Sequence, residues 1–250
     1  IEKAKIGIEP LRLRVLELRF LEDAMPRAEF VSAQDLLARL RIRKDTPEVT
    51  AMGQAVEIAQ IGFMATLSFI KPGVSEREIA SELTVQLLKA GSDAVFPFEP
   101  IVSGGPNSAN PHAVPTGRRL QEGDLLVIDW GAAYDGYISD LTRTLAIGKI
   151  SSEFERIAEV VRLANEAGRA AARPGIPAGA IDRAAREVID ARGYGQYFTH
   201  RVGHGIGMEA HEDPYMYGEN LLNLEPGMAF TVEPGIYLPD RGGVRIEDNV

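Results

Sequence analysis

The sequence predicts an α+β fold of two similar halves, each a helix pair followed by antiparallel strands, with the tail of a smaller N-terminal domain in front. Three observations predict it. A segment that opens at Lys71-Pro72-Gly73-Val74 and closes at Gly91 returns as one that opens at Arg173-Pro174-Gly175-Ile176 and closes at Gly193, at a constant offset of 102 residues. The apolar run 125–129 returns as 229–233 at an offset of 104, which also matches Gly123 with Gly227 and Gly131 with Gly235. An offset this long is far outside solenoid periods, so the copies are halves of one domain. Third, Asp45-Thr46-Pro47-Glu48 combines a capping residue, a proline and an acid in one turn, which marks a helix start and the main boundary of the chain.

The elements follow in order. Lys5-Ile6-Gly7-Ile8-Glu9 is a short strand candidate, and the Leu- and Arg-rich stretch 11–20 has mixed periodicity and no assignment. Residues 33–40 look helical. Residues 1–45 are thus expected to be the tail of an N-terminal domain plus a linker, and 46–250 the main domain. A first helix is predicted over 47–69, and a second carries Ile79, Leu83 and Leu87 on one face. Strands then follow at 125–129 and 138–144. The second half repeats this with helices at 152–172 and around Ile181, Ala185 and Ile189, and with strands at 229–233 and 243–247. The chain starts at Ile1 and stops at Val250 inside a strand-like pattern, so it is expected to be a fragment truncated at its C-terminal end.

Composition narrows the function. The 250 residues are 45% hydrophobic and 25% charged, which is ordinary for a globular domain. The net charge of −9 argues against a nucleic-acid partner, which would want clustered Lys and Arg. There is no cysteine, which removes disulfides, thiolate nucleophiles and thiolate zinc sites and fits a reducing compartment; the expected location is cytoplasmic. No apolar run approaches the roughly 20 residues of a membrane helix, so no membrane partner is expected.

Chemistry concentrates in a few residues. Asp129 ends the apolar run Leu125-Leu126-Val127-Ile128, and Glu233 ends the matching run in the second half. A buried carboxylate is costly unless paired or bound to metal, and two of them at equivalent places of a repeat are hard to attribute to solvent exposure. Strand period two puts Ile138, Asp140 and Thr142 on one face, and Arg245 with Glu247 on another. The intervals from Asp129 to Asp140 and from Glu233 to Glu247 suit adjacent antiparallel strands joined by short turns at 134–136 and 240–243. Three of the four histidines, His200, His204 and His211, crowd a glycine-rich segment, and the fourth, His112, follows Pro111. Glycines on both sides of His204 permit close backbone approach around a ligand. They also argue against a helix, so His200 and His204 are not read as a helical zinc pair.

Four carboxylates in one pocket cannot all stay ionised without compensation, and two divalent cations would balance them. One imidazole among oxygen ligands favours a hard or borderline ion, Mn²⁺ first, with Co²⁺, Fe²⁺ or Zn²⁺ as alternatives. A water bridging two such ions becomes a hydroxide nucleophile near neutral pH.

The order Asp129 in IDWGA, Asp140 in SDLTRT, His204 in GHGIG, Glu233 in TVEPG and Glu247 in RIED resembles the pita-bread metallopeptidases. Within them PHAVPTGR, HE-x-P and GGVRIED are most similar to Xaa-Pro aminopeptidases (aminopeptidase P) and Xaa-Pro dipeptidases (prolidases), over about 46–250. The resemblance implies the two-half fold and a dinuclear exopeptidase that cleaves the Xaa-Pro bond of peptides or dipeptides. It implies Asp129, Asp140, His204, Glu233 and Glu247 as metal ligands. Glu233 would also shuttle a proton from the bridging water to the leaving nitrogen. His112 and His211 would hydrogen-bond the substrate carbonyl and the tetrahedral intermediate, and His200 would line the pocket for the N-terminal side of the substrate. Arg245, Thr142 and Thr231 would support the ligands from behind. A homodimer is implied as well. There is one departure: some prolidases place an arginine after HE-x-P that grips a dipeptide carboxylate, and here that place is Tyr215, read as a substrate-binding position. Arg118, Arg119, Arg201 and Arg241 are the substitutes available for the grip. Two readings compete, a methionyl aminopeptidase on the same fold and a peptide-binding module without catalysis. The GGVRIED motif counts against the first and the intact ligand set against the second.

Overall fold

The computed structural model describes residues 4–250. Its first elements are β1 (Lys5–Ile8), α1 (Val15–Ala24), β2 (Glu29–Ser32) and α2 (Gln34–Arg41). β1 and β2 run parallel, with Lys5 opposite Glu29, so α1 is the crossover that parallel pairing demands. The stretch left unassigned in the sequence is therefore a helix over its second half. It has no buried residue, and a helix that buries no stripe writes no apolar period.

The first half of the main unit holds α3 (Thr46–Thr66), α4 (Glu76–Ala90), β3 (Ile101–Gly104), β4 (Leu125–Trp130), β5 (Ala133–Tyr134), β6 (Tyr137–Ile138) and β7 (Leu141–Ala146). Asp45 caps α3 through the Glu48 amide while Glu48 caps back, the box that its sequence announced. Ser75 and Glu78 do the same for α4. The second half holds α5 (Ser152–Ala171), α6 (Gly179–Asp190), β8 (Gly203–Gly205), β9 (Glu212–Met216), β10 (Thr231–Val232), β11 (Gly235–Leu238), β12 (Gly242–Arg245) and β13 (Asp248–Asn249). The repeat is visible in the backbone: Gly73 and Gly175 have φ of 91° and 88°, and Gly123 and Gly227 have 90° and 88°, in the left-handed region that glycine enters without strain.

Each half has its own core. In the first, Leu126, Ile128 and Trp130 on one face of β4 pack with Ile79, Leu83 and Leu87 of α4, and Trp130 stacks on Phe63 of α3 at 4.3 Å. Trp130 also donates to the Ala59 carbonyl, so its one polar atom is satisfied. The second core joins α5 and α6 to Ile236, Leu238 and Val244, and Leu125 from the other face of β4 belongs to it. β4 thus lies between the two cores, and alternation turns Asp129 toward the second half.

Antiparallel pairing gives the sheet order β3-β4-β7, with Asp129 opposite both Ile101 and Thr142. β10 pairs with β13 and β11 with β12. The halves meet along β7: the Glu247 amide donates to the Thr142 carbonyl, and Thr144 exchanges hydrogen bonds with the Arg245 backbone. Two sequence expectations need correction. Asp140 is not inside a strand; it lies in the break between β6 and β7, where its amide and carbonyl bond the Asn249 side chain rather than a ladder. The expected strand at 229–233 shortens to Thr231–Val232, because Pro234 has no N–H and the Glu233 amide turns to the Val202 carbonyl.

Candidate metal centre

The acids sit where ladders end. Asp129 is the penultimate residue of β4, Asp140 precedes β7, Glu233 follows β10, and Glu247 lies between β12 and β13. His204 is the middle residue of β8. All five, with His112, His200 and His211, line one cavity of about 600 Å³. Asp140, His204 and Glu247 bring one ligand atom each within 4.8 Å of one another.

The tautomer of His204 follows from its contacts. Nδ1 lies 3.1 Å from the Gly205 carbonyl, so it carries a proton, and in the neutral ring Nε2 presents a lone pair. That nitrogen faces Glu233 Oε1 at 3.3 Å and Asp140 Oδ2 at 3.7 Å. Lone pair against carboxylate repels unless a positive charge stands between them. The carboxylates make the same demand: Asp129 Oδ1, Asp140 Oδ1 and Glu247 Oε1 are buried and have no hydrogen-bond partner. Buried acceptors of this kind are normally satisfied. The donor set therefore fits divalent cations.

The other oxygens are held. Thr142 Oγ1 donates to Glu247 Oε2 at 2.7 Å, and Thr231 Oγ1 donates to Glu233 Oε1 at 3.3 Å. Arg245, which is buried, donates to Asp129 Oδ2 at 2.6 Å, to Thr142 Oγ1 and to the Tyr237 hydroxyl. His200 Nδ1 donates to the Arg201 carbonyl, leaving Nε2 to accept from Tyr237 at 2.9 Å. Tyr237 and Asn249, which the sequence did not single out, tie His200 and Asp140 into place.

Electrostatics restates the problem. Burial, then the neighbouring carboxylates, push Asp140 and Glu247 well above the usual carboxylate range. Burial raises Asp129 too, against the pull of Arg245. For Glu233, burial works upward, and the carboxyl is held down, to about 2, only with positive charge facing it at His204, then His200 and Arg245; where His204 Nε2 presents its lone pair, a cation would have to supply that charge. A consequence follows for the metal-free protein. A raised folded-state pKa means that the folded chain holds a proton the unfolded chain has released, so stability falls as pH rises above the unfolded Asp value near 4. Asp140→Asn removes that penalty. It is expected to raise the Tm of chelated protein at pH 7, with the gain shrinking toward pH 4. Thermal melts across that pH range check it; a lower Tm at pH 7 would show that the aspartate is not a burden in the empty site.

Tyr215 is placed differently from the histidines. It is in β9, outside the lining of the cavity, and its ring carries the Arg201 guanidinium at 4.7 Å. Arg201 and Tyr217 line the cavity instead.

A model of metallopeptidase family M24 matches residues 50–250. The chain belongs to that family. Among curated relatives, the Xaa-Pro dipeptidase of Lactobacillus helveticus is 42% identical over 243 residues, 97% of this chain. The alignment covers 66% of that relative, so the chain spans just under two thirds of its length. Among solved structures, the prolidase from Pyrococcus furiosus superposes with a TM-score of 0.92 at 39% identity, over 99% of this chain and 72% of that one. The X-Pro aminopeptidase from Thermotoga maritima MSB8 also superposes at 0.92, with 36% identity over 99% of this chain and 70% of that one. The M24 likeness confirms the two-half α+β architecture expected from the repeat. It does not separate a dipeptidase from an aminopeptidase, since both kinds superpose equally well. Among the described residues, no helix of this M24 chain is long and apolar enough to cross a membrane.

Proposed function

We propose that this chain is the catalytic part of a dinuclear metal-dependent exopeptidase that hydrolyses Xaa-Pro bonds. The observation that carries the reading is the set of three buried, partnerless carboxylate oxygens beside the free Nε2 of His204. Asp129, Asp140, His204, Glu233 and Glu247 would hold the cations, Mn²⁺ first. Bound there, divalent cations supply Lewis acidity and lower the pKa of water. The chain does the rest. Glu233 takes the proton of the attacking water on its carboxylate and returns it to the leaving nitrogen. His112 and His211 donate to the carbonyl oxygen as charge builds there. His200, fixed by Tyr237, borders the substrate's N-terminal side.

Of the four arginines that could receive a dipeptide carboxylate, Arg118 is paired with Asp124, Arg119 with Glu78 and Arg241 with Glu153. Arg201 has no carboxylate partner among the described residues and lies on Tyr215 at the cavity wall. This favours a dipeptide, with Arg201 gripping its carboxylate in place of the residue at 215. We also read residues 1–45 as the end of a separate domain and linker and 46–250 as the catalytic domain. In support, none of residues 4–43 is buried, and Leu11, Val15, Phe20 and Leu40 are exposed. A homodimer and a cytoplasmic location belong to the same proposal, the latter supported by the lack of cysteine.

The test is hydrolysis of Gly-Pro, Gly-Pro-Pro and Met-Ala-Ala with added Mn²⁺. Gly-Pro is expected to be cleaved fastest, and chelation is expected to abolish turnover until Mn²⁺ or Co²⁺ is restored. Preference for Met-Ala-Ala would indicate a methionyl aminopeptidase. Cleavage of none would indicate a binding module, and undiminished turnover after complete metal removal would overturn the mechanism.

A further inference from the structure

His211 rides on a loop with little support of its own. Residues 207–211 between β8 and β9 form bends, and the pairing of those strands shifts register between His204 and Gly205. Yet its ring sits 4.1 Å from the His204 ring, centroid to centroid, so the loop's path decides where a donor meets the cavity. The loop carries two acids, Glu209 and Glu212, on either side of the histidine. Both are held by cations from the start of the chain. Arg12 and Arg41 reach Glu209 Oε1 at 2.9 and 3.0 Å, and Arg41 is itself pinned by Glu9 at 3.1 Å. Lys44 reaches Glu212 Oε1 at 2.5 Å, and the Lys44 side chain is 2% exposed.

The Lys44 pair is built in. The Lys44 amide donates to the Gly227 carbonyl, and Arg43 bridges Met228, so the backbone that presents the ammonium is tied to the second half. Gly207 packs directly over the pair: a Cβ there would lie 2.6 Å from Glu212 Oε1 and 2.7 Å from Lys44 Cε. A largely covered carboxylate with one buried cation is strongly coupled to it, since losing the partner leaves an uncompensated charge.

We propose that Lys44, assisted by Arg12 and Arg41, positions His211 by clamping the acids that flank it, so that residues 12–44 set the geometry of one wall of the reaction cavity. The inference rests on the role given above to His211. Lys44 touches no substrate; it acts through the loop.

The experiment combines exchange with kinetics, on the full chain. Lys44→Met is expected to speed amide hydrogen exchange across 207–212 by about tenfold while α4 and α6 stay protected. It is expected to lower kcat on Gly-Pro by about 10- to 100-fold with bound Mn²⁺ unchanged, since small misplacements of a positioned group cost that much. In a His211→Ala background the same substitution should change kcat by less than about twofold, because the group it positions is gone. Lys44→Met/Glu212→Gln removes the stranded charge and serves if the single variant folds poorly. It is expected to retain the fold and the faster exchange. Unchanged exchange in both Lys44 variants would overturn the clamp. An equal loss of kcat with and without His211 would overturn its action through that residue. If the wild-type chain fails to cleave Gly-Pro, the functional reading fails while the exchange result still decides the clamp.

Discussion

Asp129→Ala and Glu233→Ala are each expected to abolish peptide hydrolysis, by at least about 10³-fold, while the chain stays folded. The two acids fail for related reasons. Each ends an apolar strand run, and their oxygens face the same space from opposite halves. Removing one carboxylate opens a coordination position and upsets the balance between cations and ligands. For Glu233 a second loss is expected, because the group proposed to carry the proton goes with it, itself worth roughly 10²–10⁴. For Asp129 the damage also reaches Arg245, whose 2.6 Å hydrogen bond to the carboxylate is broken and whose buried guanidinium is left short of an acceptor. The measurement is steady-state turnover of Gly-Pro with Mn²⁺ present, beside circular dichroism to show that the fold survives. Full activity in either variant would remove the site assignment.

The histidines should separate into two kinds of failure. His204→Ala is expected to lower metal occupancy, because it removes the only nitrogen in the proposed ligand set, the Nε2 that faces Asp140 and Glu233. His112→Ala and His211→Ala are expected to keep metal content near normal and to lower kcat by about 10²–10³, since a donor aimed at a developing oxyanion matters most in the transition state. Elemental analysis beside kinetics distinguishes them. Metal loss in His211→Ala, or full occupancy in His204→Ala, would force the roles to be redrawn.

Much of the candidate site was legible because its residues end patterns. A run of four apolar residues closed by an acid, twice, at equivalent places of a repeat, is a local signal, and it located Asp129 and Glu233 before any fold was known. What stayed hidden depends on register. Tyr237 is one tyrosine in a short apolar run; its hydroxyl meets Arg245 and His200 only because β11 pairs with β12 so as to set Gly235 opposite Arg245. Asn249 reaches Asp140 across more than a hundred residues of sequence, through a side-chain exchange that no period announces. Tyr215 and Tyr217 should share a strand face by period two. However, β9 stops at Met216, and a turn that bonds the Tyr217 amide to the Tyr215 carbonyl sends only the later ring to the cavity. In α1 the hidden element has another cause, because a helix with Val15, Leu16 and Phe20 turned outward gives no stripe to find.

The division of the proposed ligands between the halves would have a thermodynamic consequence. Asp129 and Asp140 come from the first half, and His204, Glu233 and Glu247 from the second, while each half buries a core of its own. Separating the halves would therefore leave no chelate. A cation coordinated from both sides acts as a rivet whose strength is set by its free concentration: the docked state gains RT ln(1 + [M]/Kd), about 2.7 kcal/mol at a hundredfold excess over Kd. If the proposed centre holds a cation, scarcity of the ion would thus loosen the seam between the halves, coupling the mechanical integrity of the molecule to the supply of that ion.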